Sequence, residues 1–140
     1  MSESIHGVLK TDIRLQNRWP FWRWFLVLAY AGSVVVVSAI PGHILPQVRG
    51  SDKLLHTVEF GGLAVLLCRA LVVQMPGRSR RSILVMSLVA AMCYGALDEA
   101  HQLFVPQRMS DVADFVADSF GALLGGWCWL WVGTRWPWLQ

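Results

Sequence analysis

Four runs of apolar residues, each long enough for a membrane span and separated by short connections that each contain a proline, constrain this 140-residue chain most. The first extends from Pro20 to Ile40 and closes at Pro41-Gly42. The second runs from Leu54 to Val73 and stops at Met75-Pro76-Gly77, the third from Ile83 to Phe104 ahead of Pro106, and the fourth from Val112 to Gly133. At about 1.5 Å of rise per residue, each run matches the roughly 30 Å hydrocarbon core of a bilayer. Backbone polar groups find no water there, so a continuous helix is the form such a run takes. The expected fold is all-α: a bundle of four transmembrane helices over residues 18–140, preceded by a cytoplasmic N-terminal segment, 1–17. That segment mixes polar and apolar residues and suits either a surface helix or a disordered arm.

Composition excludes the main soluble alternatives. Hydrophobic residues make up 55% of the chain and charged residues 15%, and mean hydropathy is +0.47. A soluble domain of this size needs more polar surface than that. The net charge of +3 does not signal nucleic acid, because the basic residues fall in short clusters between apolar runs, with no basic face or binding motif. Cys68, Cys93 and Cys128 fall one per run at different expected depths, without CxxC or Cys/His spacing, so no disulfide or zinc framework is expected. Val37-Ser38-Ala39 faintly resembles a cleavage site, but the first run exceeds a usual signal core and reads as a retained helix.

Charge orients the spans. Lys10, Arg14, Arg18 and Arg23 precede or open the first, Arg69, Arg78, Arg80 and Arg81 surround the second connection, and Arg135 follows the fourth. The other two connections hold only Arg49, Lys53 and Arg108. The positive-inside rule places both termini and the second connection in the cytoplasm. Tryptophans agree: Trp19, Trp22 and Trp24 open the first run, and Trp127, Trp129, Trp131, Trp136 and Trp138 close the fourth, where indole rings favour headgroups.

Seven of the nine acidic residues then gather at or just below the extracytoplasmic face: Asp52, Glu59, Asp98, Glu99, Asp111, Asp114 and Asp118. Lys53, His56, His101, Gln102 and Arg108 share that layer. Ionisable groups inside a span cost about 2.5–3.5 kcal/mol on insertion scales and normally face a bundle interior or wet cavity. Asp52, His56 and Glu59 stack at i, i+4, i+7 on the second helix, and Asp111, Asp114 and Asp118 at i, i+3, i+7 on the fourth, with Gly121 and Gly125 continuing that stripe as a GxxxG. Three polar stripes at one depth imply a shared site. Blander readings stand beside it. Asp52 and Asp111 can cap helix starts, Lys53 can snorkel, Asp98 and His101 can simply be solvated near a helix end, and His56 can be a satisfied polar residue bonded to Glu59 or Asp52. His56, Glu59, Glu99 and His101 are acceptable metal-ligand types but lack diagnostic spacing, so neither metal nor cofactor is expected. The loops also repeat: Pro46-Gln47-Val48-Arg49-Gly50-Ser51-Asp52 against Pro106-Gln107-Arg108-Met109-Ser110-Asp111. Two pseudo-repeated hairpins would account for this.

At these residues the chain resembles the VanZ-like family of bacterial membrane proteins. The segments Asp52 to Phe60, Glu99 to Arg108 and Asp111 to Gly125 carry the resemblance, as DKxxH, ExxQ…PxR and D…GxxxG. It covers roughly residues 30–130 and implies family positions at Asp52, Lys53, His56, Glu59, Glu99, Gln102, Arg108 and Asp111; Asp118 stands where many relatives are expected to have asparagine. The family's namesake is associated with teicoplanin resistance, which implies envelope biology without implying an activity. The leading reading is a site for an anionic envelope lipid or lipid-linked cell-wall precursor. Asp52, Lys53, Gln102, Arg108, Asp111 and Asp114 would bind it, and His56, Glu59 and Glu99 would move protons if it is transformed. Membrane lipids are thus the expected partners and nucleic acid is not; whether the protein is an enzyme stays open. The rivals are a non-catalytic scaffold or lipid-binding protein, whose polar core only specifies packing, and a proton-coupled lipid transporter, which four short helices would accommodate best as a homodimer.

Overall fold

A computed structural model of the chain describes residues 20–44 and 51–135. The N-terminal segment 1–17, Trp19, the Pro46–Gly50 half of the loop repeat with its Arg49, and Trp136 and Trp138 lie outside them. Four helices make up the described residues, with no strand: α1 (Pro20–Ser38), α2 (Ser51–Gln74), α3 (Arg80–Gln102) and α4 (Val112–Arg135). Each contains a stretch of 18 to 23 residues long and apolar enough to cross a membrane. The protein is a multi-pass, all-α membrane protein.

The helix ends follow local chemistry. Ser79 caps α3, its hydroxyl accepting from the Ser82 N–H at 3.1 Å, after a turn in which Gly77 takes φ 95°. Asp111 caps α4, its carboxylate accepting from the Ala113 N–H at 2.9 Å. Helix α2 begins at Ser51, ahead of the apolar run, because the polar residues Asp52 and Lys53 extend the helix towards its partners. Helix α3 stops at Gln102, so Phe104 falls in the following turn and is exposed.

The bundle is organised around α2 and α4, which share the most extensive interface; α3 packs on both, and α1 leans on α2 and touches α3 lightly. What brings α2 and α4 together is missing side chain. A Cβ at Gly121 would run into the backbone of Thr57, and one at Gly125 into the backbone of Gly61. The GxxxG therefore brings two helix backbones into contact, which replaces the absent hydrophobic drive between helices in lipid with dispersion contacts. Thr57 Oγ1 adds a bond to the Ala117 carbonyl at 3.4 Å. Phe60, Leu63, Ala64, Leu67, Ala91 and Ala122 fill the centre.

Outward faces are apolar in every helix: Phe25, Leu28, Val58, Val89, Leu97, Val116, Leu123 and Trp127 are all exposed. Such a surface fits lipid and would aggregate in water. Trp129 departs from the interfacial pattern of its neighbours. It is buried with Cys68, Leu71 and Ile83, since its position on α4 turns inward while Trp127 and Trp131 turn outward. The three cysteines are free thiols.

Candidate functional site

One end of the bundle collects the polar side chains: the end of α1, the start of α2, the end of α3 and the start of α4. Buried there are Ser38, His56, Asp98, Glu99, Gln102, Asp114 and Asp118. The opposite end carries Arg23, Arg69 and the arginines of the α2–α3 turn. A groove of about 240 Å³ lined by Trp22, Arg23, Leu26, Leu66 and Arg69 lies there, remote from the acidic cluster.

The innermost pair joins α2 to α4. His56 Nδ1 sits 2.8 Å from Asp118 Oδ1, with the Asp118 residue fully buried and His56 at 5% exposure. Glu99 enters from α3, and one ligand-type atom from each of His56, Glu99 and Asp118 lies within 4.8 Å of the others. Glu99 Oε2 is anchored, accepting from the Asp111 N–H at 2.9 Å and from the Ser110 hydroxyl at 3.1 Å. Thus α3 fixes the start of α4 through a carboxylate, as anions favour helix N-termini. Glu99 Oε1 and Asp118 Oδ2, by contrast, are buried with no hydrogen-bond partner. Buried polar atoms rarely remain unpaired, because each costs about 1–3 kcal/mol.

A second group ties α1 in. Asp98 Oδ2 accepts from Ser38 Oγ at 2.8 Å and from Gln102 Nε2 at 3.1 Å. The Tyr94 hydroxyl donates to the Ala31 carbonyl at 2.6 Å, and at the far end Arg23 donates to the Arg69 carbonyl at 2.7 Å. These contacts seat an otherwise lightly packed helix.

Lys53 forms the third group. Its ammonium lies 2.7 Å from Asp114, 3.2 Å from Asp111 and 3.8 Å from Asp52. Asp114 is the buried partner, its side chain 10% exposed against 51% for the other two, so that pair carries the weight of the interaction. At the surface, the Ala113 N–H and then Lys53 hold the Asp111 carboxyl below the usual carboxylate range.

Several sequence expectations change here. His56 bonds across the helix interface to Asp118, not along its own stripe to Glu59 or Asp52. Glu59 is half-buried and makes no hydrogen bond among the described residues, though the charges of His56, Asp98, Asp118 and Arg108 act on it. Asp98 is buried, not solvated, since the end of α1 closes over it. Asp52 stays at the surface. Lys53, expected to bind an anionic lipid or to snorkel, is instead engaged by three carboxylates. Arg108 is not drawn into the Lys53 group, and Glu59 is a carboxylate it acts on electrostatically. The arginine is partly buried, its Nε lacks a partner, and it forms no ion pair with the described residues. It follows Gln107, which takes the left-handed φ of 58° within a turn closed by the Arg108 N–H on the Val105 carbonyl. Few non-glycine residues adopt that conformation.

With this geometry in place, the comparisons are decisive on kinship. The VanZ/LLP1 family model matches residues 4–133. The chain belongs to the VanZ/LLP1 family. No curated protein and no solved structure matches it. In this VanZ/LLP1 protein the matching motifs converge in space: His56 of DKxxH, Glu99 and Gln102 of ExxQ, and Asp111, Asp114 and Asp118 of the last helix all reach one end of the bundle. Sequence reasoning placed Asp98 and Asp118 in the polar layer without giving either a role in the site, and it left out Ser38 altogether. Asp118 was signalled by its i+7 spacing from Asp111 on a glycine-bearing face. Asp98, adjacent to Glu99, was signalled by being a second acid at the same depth. Ser38 had no signal, because a serine in an apolar run is commonplace.

Proposed function

We propose that the polar end of the bundle receives the anionic headgroup of an envelope lipid or lipid-linked cell-wall precursor at the extracytoplasmic face of the inner membrane. The observation that carries this reading is Arg108. Its Nε is buried without a hydrogen-bond partner, its guanidinium forms no ion pair with the described residues, and the carboxylate it acts on at longer range is Glu59. Its planar guanidinium offers parallel bonds matched to phosphate. It lies two and three residues ahead of Ser110 and Asp111, whose groups bond Glu99, so an anion at Arg108 borders the buried cluster. His56, Glu59 and Glu99 are the groups through which protons would move. Lys53 acts differently. Bound to Asp114 and Asp111, it pins α2 to α4 and shapes the rim.

Arginines at the opposite end support the cytoplasmic placement of the termini. Family membership supports a link to glycopeptide resistance through envelope lipids. A core serving only helix packing is disfavoured by the unpaired oxygens of Glu99 and Asp118, because a packing network gains nothing from unsatisfied atoms. The test is binding of phosphatidylglycerol and of a polyprenyl phosphate to the purified protein, with Arg108→Lys and Arg108→Ala. Arg108→Lys should bind either phosphate lipid at least tenfold more weakly despite its preserved charge. Equal binding by wild type and both variants refutes the assignment. The two tails separate a general lipid site from one for a polyprenyl carrier.

A further inference from the structure

We propose that His56, Glu99 and Asp118 bind a divalent metal cation of the zinc class inside the polar end of the bundle. The site is built from three helices, with an imidazole from α2 and carboxylates from α3 and α4. All three residues are buried, with their nearest ligand atoms within 4.8 Å of one another. Zinc bonds of about 2.0–2.2 Å in tetrahedral geometry set neighbouring ligand atoms about 3.3 Å apart. The 2.8 Å separation of His56 Nδ1 and Asp118 Oδ1 would open by about 0.5 Å to admit a cation in place of the shared proton. Glu99, held through Oε2, would offer Oε1 as the third ligand atom.

Two independent observations point to a ligand. Glu99 Oε1 and Asp118 Oδ2 are each buried and unpartnered, on residues more than nine-tenths buried. A cation held by both oxygens of Asp118 and by Glu99 Oε1 would satisfy both, whereas a helix-packing role satisfies neither. The second observation is charge. Four buried carboxylates, Asp98, Glu99, Asp114 and Asp118, have only one lysine and one imidazole in contact with them among the described residues, and that lysine is taken up by Asp114. Isolated buried charge is costly enough that it is paired or coordinates metal, and a divalent ion supplies the missing positive charge where it is missing.

The surroundings fit as well. Ligating carboxylates are usually held by outer hydrogen bonds, and Glu99 Oε2 is held by the Asp111 N–H and the Ser110 hydroxyl. No cysteine joins the cluster among the described residues, so the donor set is nitrogen and oxygen. Three protein ligands leave a coordination position open for water or for an oxygen of a bound anion. This inference stands on the chain's own side chains and does not rest on the lipid reading.

The test uses the full chain purified in detergent, stripped with a chelator and titrated with zinc alone. Wild type should bind one equivalent, and the near-isosteric variants Asp118→Asn and Glu99→Gln should each bind at least tenfold more weakly. Absence of zinc binding, or wild-type affinity in Asp118→Asn, overturns the proposal. Should either variant fail to fold, X-ray absorption on zinc-loaded wild type gives the answer: nitrogen and oxygen neighbours at about 2.0–2.2 Å with imidazole scattering support the site. A sulfur shell at about 2.3 Å would move the metal to a cysteine and overturn it. Because no lipid is added, failure here leaves the Arg108 reading intact, and failure of lipid binding leaves this one intact.

Discussion

Gly121→Ala is the most informative single-methyl change in the protein. A Cβ at this position would stand 2.8 Å from both the Thr57 carbonyl carbon and its Cα, where ordinary contact begins at 3.4 Å, and closer still to the carbonyl oxygen. Every obstacle is backbone, so no rotamer change relieves it. The helices α2 and α4 must part by at least 0.6 Å at those atoms, across the largest interface in the bundle. Overpacking of this kind costs about 1–3 kcal/mol, and a backbone-on-backbone clash belongs in the upper half of that range. The same movement stretches the His56–Asp118 contact, because His56 precedes Thr57 and Asp118 lies one turn before Gly121. Gly32→Ala is the matched control. Nothing lies within 4 Å of its added methyl, and alanine gains up to about 1 kcal/mol over glycine in a helix. Unfolding by SDS titration, followed by tryptophan fluorescence in mixed micelles, compares the two. Gly121→Ala should lose about 2–3 kcal/mol while Gly32→Ala loses nothing. Equal stability of the two variants would refute the close-packed α2–α4 seam.

Two further outcomes follow from the polar end. Lys53→Met strands the buried Asp114, and since lysine itself is 42% exposed the loss should be about 1–3 kcal/mol, below that of a fully buried pair; the same SDS titration should show Lys53→Met/Asp114→Asn recovering most of it, and no recovery would mean that the pair is not the unit. Single cysteines at 47 and 107 in a cysteine-free background should label from the periplasmic side and a cysteine at 79 from the cytoplasmic side, the reverse pattern overturning the orientation.

The spans were legible because hydropathy and Pro/Gly breaks are local properties. Run and helix agree within a few residues at each end, and α2 reaches back to Ser51, where Lys53 meets Asp111 and Asp114. The depth of the polar layer was legible too, through helical spacing. What periodicity could not give was the rotation of each helix about its axis. That rotation decides that His56 meets Asp118 and not Glu59, that Trp129 turns inward between two outward tryptophans, and that Asp98 lies beneath Ser38. Which cation joins the carboxylates of α4 depends on it as well. Lys53 and Arg108 looked alike in sequence, and only the approach of α2 to α4 draws in the one and not the other.

The most direct measurement is the affinity of the purified protein in nanodiscs for a polyprenyl phosphate against the corresponding uncharged polyprenol, for wild type, Arg108→Lys and Arg108→Ala, with melting temperature recorded on the same samples. An arginine without a close ion pair contributes only about 0–1 kcal/mol to stability, so melting should barely move. Wild type should prefer the phosphate, Arg108→Lys should lose most of that preference, and Arg108→Ala should lose nearly all of it. Unchanged phosphate preference together with a large fall in melting temperature would show Arg108 to be a structural tether, and would contradict the anion site.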